Sequence, residues 1–157
     1  MATQTDVEKA LKEPVTCPPS GFATITVLKY VATTNDASPF KWQESLQPFL
    51  GTQLRAALMF GAKAKELQLQ NSKPANEADT LEAYNDDNAF QLEQFAEAEA
   101  PIFSLQRLCE VLLNPFKYNT RDPAAAADDA SETQRLASLR PEKLQDALRK
   151  CVLTAPV

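Results

Sequence analysis

The residues best equipped for chemistry lie in one run, SLQRLCEVLLNPFKY at 104–118, which brings Arg107, Cys109, Glu110, Phe116, Lys117 and Tyr118 together. A cysteine near a cation is the beginning of a nucleophilic site, because a thiolate needs a positive neighbour or a base to form near neutral pH. The chain has no histidine, so the usual base is missing. On a helix Arg107 and Cys109 are two positions apart and point in different directions. Cys109 also stands among Leu105, Leu108 and Leu112, surroundings that keep a thiol protonated and inert, so a core cysteine is expected. Asp86, Asp87 and Glu93 offer oxygens to a hard cation, yet no glycine supplies the sharp turn of a calcium loop, and they read as solvated carboxylates. Phe40, Trp42 and Phe49 read as core aromatics rather than a ligand cage. The 3 glycines spell neither GxGxxG nor GxxxxGK[ST], so no phosphate cradle and no cofactor is expected. What the run does carry is arginine and aromatics, the types that dominate binding energy at protein interfaces.

With 157 residues, 44% of them hydrophobic, the chain is sized for one domain, 1–157, with no need of metal or disulfide staples. The net charge of −5 and the lack of a dense basic run argue against a nucleic-acid partner. The acid is concentrated. From Pro74 to Gln106 there are eight carboxylates and no Lys or Arg, so of a net −5 the rest of the chain is left at +3. Such asymmetry predicts one acidic face. Cys17, Cys109 and Cys151 form no CxxC, which points to reduced thiols and an intracellular chain. The opening MATQTDVEKALKEP has no apolar signal core and no stretch approaches a membrane span, so a soluble protein without membrane contact is expected.

The elements that must hold these residues are helical. Thr5-Asp6-Val7-Glu8 has the form of a capping box and predicts a short helix that Pro14 ends. GFATITVLKYVATTND contains a β-branched run, but Phe22, Ile25, Leu28 and Val31 fall at helical spacing, and a helix ending near Thr34 is expected. Ser38-Pro39 predicts the next start. Trp42, Leu46, Leu50, Leu54 and Leu58 then recur every four residues to about residue 70, with Met59 filling in and a break near Leu46 imposed by Pro48. NSKPANEA reads as a linker. Phe90, Leu92 and Phe95 predict a helix that Pro101 breaks. Ser104 caps the next, whose wide face of Leu105, Leu108, Cys109, Val111 and Leu112 makes it central, and Asn114-Pro115 stops it. Residues 119–137 read as an inserted loop, and Pro141 opens a last helix through Val152. The expected fold is all-α, a single irregular bundle of roughly six helices.

FSLQRLCEVLLNP at 103–115, followed by Lys117-Tyr118, resembles the central signature of the protein phosphatase 4 regulatory subunit 2 family. That signature is F-[ST]-[IL]-Q-R-L-C-E-L-L, a short polar step, proline, and a basic-aromatic tail. Cys17-Pro18, a hydrophobic helix and an isolated Trp42 opening a long Leu/Phe helix look like the family's N-terminal half, and EKLQDALRKCVLT is similar to its final helix. Segments 71–87 and 119–137 depart from the family, and the long acidic tail of its larger members is missing. The 103–118 block is the specific part of the match.

The resemblance implies a non-catalytic scaffold. Such a chain binds the catalytic subunit of a PPP-type serine/threonine phosphatase and a further regulatory subunit, in nucleus and cytoplasm including centrosomes, while metals and hydrolytic water belong to the partner. Arg107, Glu110, Phe116, Lys117 and Tyr118 are then the candidate contacts; equally open are an Arg107 that caps or pairs within the domain and a Phe116 and Tyr118 that fold back as core rather than standing exposed beyond the helix end. A second reading is a helical DNA-binding or chromatin domain, with LQRLCEVLLN and the following turn mimicking a helix-turn-helix; the acidic balance opposes it.

Overall fold

The computed structural model describes residues 1–71 and 79–153. Among them the chain is all-α, an irregular bundle of seven α-helices with one π-helical turn, one 3₁₀ turn and no strand. The six expected helices are present, and the seventh lies inside the segment read as a loop.

Helix α1 (Gln4–Ala10) begins two residues earlier than the sequence suggested. Thr3, not Thr5, is the cap: its hydroxyl accepts from the Asp6 N–H, and the Asp6 carboxylate accepts from the Thr3 N–H at 2.8 Å. Helix α2 (Phe22–Thr34) has no side-chain cap of its own at Gly21. Glu13 supplies one from outside, accepting from Ala23 N–H at 3.1 Å and from Thr24 N–H and hydroxyl at 2.7 Å each. A Cβ at position 21 would collide with that carboxylate, which explains the glycine. The threonines suit a helix because Thr26, Thr33 and Thr34 donate their hydroxyls to carbonyls one turn back. Asn35 ends α2 at φ 54°, the left-handed position that asparagine tolerates.

Ser38-Pro39 does not start the next helix. The start is Trp42, in a π-helical turn (Trp42–Leu46) that passes into α3 (Gln47–Leu69). Pro48 is the second residue of α3, where a missing N–H costs little, and the widened turn before it makes room for the ring. The predicted break near Leu46 is thus a change of helix type. Phe49, Leu50, Leu54 and Leu58 are fully buried, whereas Met59, expected in the stripe, is 61% exposed.

Helix α4 (Leu81–Ala96) starts just after the stretch read as a linker, with Thr80 accepting from Ala83 N–H at 3.2 Å; residues 72–78 of that stretch lie outside the described residues. Gln47 closes its other end, donating to the carbonyls of Phe95, Ala96 and Ala98, and the Trp42 indole donates to Ala98 at 2.9 Å. Helix α5 (Leu105–Leu113) packs on α2 and on α7 (Pro141–Val152), while α6 (Glu132–Ser138) leans on α3. Between α4 and α7 lies a buried polar seam. Gln145 donates to the Tyr84 carbonyl and the Asn88 side chain, Asn88 donates to the Leu58 carbonyl, and Tyr84 donates to the Pro141 carbonyl at 2.9 Å.

Candidate functional site

The hydrophobic face of α5 sets the site. Leu105, Leu108, Cys109, Val111 and Leu112 are buried, so the helix cannot roll, and Arg107 and Glu110 are left on its outer side. Their side chains meet at 3.1 Å, a one-turn ion pair about half exposed at each end. The Asn114 backbone caps α5 by donating to Glu110, and its side chain organises the next residues. The amide oxygen accepts from Phe116 N–H at 3.1 Å, and the amide nitrogen donates to the Ala126 carbonyl at 3.2 Å. Asn119 is buried and donates back to the Pro115 carbonyl at 2.9 Å. Two asparagines therefore fix the turn 114–119 from both ends.

This turn splits the candidate contacts. Arg107, Glu110, Lys117 and Tyr118 line one cleft of about 680 Å³, closed on its far side by Pro123 and Ala126. Tyr118 is 62% exposed, with the Lys117 ammonium 5.3 Å from its ring centre. Phe116 is not with them. It is 1% exposed, its ring meets Phe60 edge-on at 5.3 Å, and the Arg135 guanidinium lies over it at 5.2 Å. Of the two places open to Phe116 the structure takes the core, which removes it from the candidate contacts, for two reasons. The Asn114 hydrogen bond turns the chain inward at 116, and the segment 119–137 is not a bare loop but a lid over that ring. Its 3₁₀ turn (Pro123–Ala126) and α6 bury Ala125 and Leu136, and Arg135 reaches across to donate to the carbonyls of Ala125 and Ala127.

One surface residue of the block was overlooked. Phe103 is 63% exposed, one helical turn before Arg107, and the two line a second cleft with Pro101 and Asn35. Their i, i+4 spacing was the available signal. The exposed strip of the block thus runs from Phe103 before α5, through Arg107 and Glu110 on its outer side, to Tyr118 beyond its end.

The cysteines sit as expected for structural thiols. Cys109 is buried, and desolvation pushes its thiol well above the ordinary range, with neighbouring Cys151 adding to the shift. Desolvation likewise raises Cys151 to about 11 and half-buried Cys17 to about 12. Asp87 is engaged by Arg149 at 2.7 Å rather than simply solvated. Among the described residues no group of three or more Cys, Asp or Glu side chains gathers as a metal site, and no helix is long and apolar enough to cross a membrane. No protein-family model, no curated protein and no solved structure matches this chain.

Proposed function

We propose that the chain is a non-catalytic regulatory subunit of a protein phosphatase 4 complex, holding a PPP-type catalytic subunit together with a further regulatory subunit. The observation that supports this most is the division of labour within 103–118. Its apolar residues anchor α5 in the core, while Arg107, Glu110, Lys117 and Tyr118 converge on one open cleft. An exposed tyrosine beside arginine and lysine is the composition that carries interface energy, and the surrounding turn is already rigid, so little ordering cost opposes binding. Under this reading the protein works in nucleus and cytoplasm, including centrosomes, and binds without performing hydrolysis.

The test is a titration of the purified chain against purified protein phosphatase 4 catalytic subunit, with duplex DNA as a second ligand. Binding of the catalytic subunit, weakened by Tyr118→Ala, is expected. Failure to bind it removes this reading, and salt-dependent binding of DNA alone would favour the helical DNA-binding one.

A further inference from the structure

We infer that this chain associates head to tail with copies of itself, the outer face of α4 of one copy seating in a groove along α3 of the next. This goes beyond the phosphatase reading and rests on a different part of the molecule.

The groove holds about 740 Å³, with Val15, Ala56, Met59 and Phe60 as its apolar surface and Arg55 and Lys63 as its cations. Met59 is 61% and Val15 48% exposed, a high exposure for two apolar side chains that share one depression. Lys63 is bridged to exposed Glu132 at 2.8 Å. Arg55 is exposed and makes no ion pair or side-chain hydrogen bond with any described residue. Along α3 the order is cation, methionine, cation, with Met59 four residues from each, so the two charges are about 12 Å apart.

The outer face of α4 carries the complement. Tyr84, Asn88, Gln91 and Phe95 are its buried side, and Glu82, Asp86, Phe90, Glu93 and Glu97 form the opposite, exposed stripe. Phe90 is 47% exposed and stands between Asp86 and Glu93, which are seven residues or about 11 Å apart. Anion, phenylalanine, anion on α4 therefore matches cation, methionine, cation on α3 in both sign and spacing. A ring entering beside Met59 would bring Asp86 and Glu93 to Arg55 and Lys63 and give Arg55 the partner it lacks among the described residues of its own chain.

A single copy cannot make this contact with itself. Gly61 of α3 faces Tyr84 of α4, and Met59 is two residues away, about 200° around the helix. The groove and α4 are thus on opposite sides of α3. Two different, complementary patches on opposite sides make a heterologous interface, which leaves a free groove at one end and a free α4 at the other.

That asymmetry supplies the experiment, sedimentation velocity of the whole chain over about 1–500 µM, the range suited to a small interface. Wild type should gain mass with concentration. Arg55→Glu spoils the groove and Phe90→Lys spoils the α4 face; both positions are exposed, so each variant should keep the wild-type melt and sediment as a monomer. An equimolar mixture of the two should form a 1:1 dimer and nothing larger, because one intact groove then meets one intact α4. A monomeric wild type throughout the range, association that survives either substitution, or a mixture that stays monomeric would each overturn the inference.

Discussion

Phe116 and Tyr118 are two residues apart, and the structure assigns them opposite fates, so truncating each to alanine should give opposite results. Phe116 is 1% exposed, packed edge-on against Phe60 and roofed by Arg135. Removing a buried phenylalanine side chain costs about 3–5 kcal/mol, including about 0.5–1.5 kcal/mol for a lost aromatic pair. We take about 4 kcal/mol for Phe116→Ala. At about 2–4 °C per kcal/mol for a chain of this size, the melting temperature should fall by about 8–16 °C. In urea, with a slope of about 2 kcal/mol per M, the midpoint should drop by about 2 M. Tyr118 is 62% exposed, so Tyr118→Ala should stay within about 0.5 kcal/mol of wild type. Binding should show the reverse order. Tyr118→Ala should weaken capture of the phosphatase catalytic subunit by about 30-fold, the equivalent of about 2 kcal/mol, while Phe116→Ala loses binding only as it unfolds. The assays are circular dichroism melts and urea titrations of both variants, followed by binding at a temperature where both are folded. A Phe116→Ala protein that melts within 2 °C of wild type, or a Tyr118→Ala protein that melts as low as Phe116→Ala should, would refute the division of this turn into core and surface.

Two glycines of α3 provide an internal control: Gly51→Ala, with nothing near the added methyl, should stabilise by about 1 kcal/mol through helix propensity. Gly61→Ala drives the methyl into the Tyr84 hydroxyl and its bond to Pro141, so it should instead destabilise by about 1–3 kcal/mol, read from the same urea titrations. Glu13 should show a pH signature. Desolvation raises its carboxyl, but the hydrogen bonds from Thr24 and Ala23 together outweigh that and hold it below its ordinary value of 4.5. A depressed folded value means its stabilisation is fully present above pH 4.5 and is lost as pH falls through the folded value. Glu13→Gln should therefore cost about 1 kcal/mol at pH 7, modest because the site meets solvent, and that difference from wild type should shrink in acid.

The helices were legible because helix formation is mostly local. The four-residue recurrence from Trp42 to Leu58, the wide apolar face of 105–112 and the opening proline at 141 each predicted an element that is there. Proline likewise marked the disturbance near Leu46, since its geometry acts on its own turn. Boundaries that rest on a competition between neighbouring caps were not legible. Thr3 and Thr5 can both accept at a helix start, and only Asp6, three residues after Thr3, decided between them in the fold.

Tertiary structure alone decided which apolar residues are core. Phe22, Met59, Phe90 and Phe103 share the chemistry of Phe49 and Phe95, but the first three stand on the exposed sides of α2, α3 and α4 and Phe103 stands in the turn before α5. Phe116 is the reverse case. It follows a helix end and a proline, where exposure is the natural expectation, and it is buried because residues far along the chain, Phe60 before it and Arg135 after it, close around the ring. The sequence determined that Arg107, Glu110, Lys117 and Tyr118 lie close together, since they share one helix and its exit. That they face a single cleft was decided by the 3₁₀ turn at Pro123–Ala126 folding back to Asn114, a contact twelve residues away that no local pattern announces.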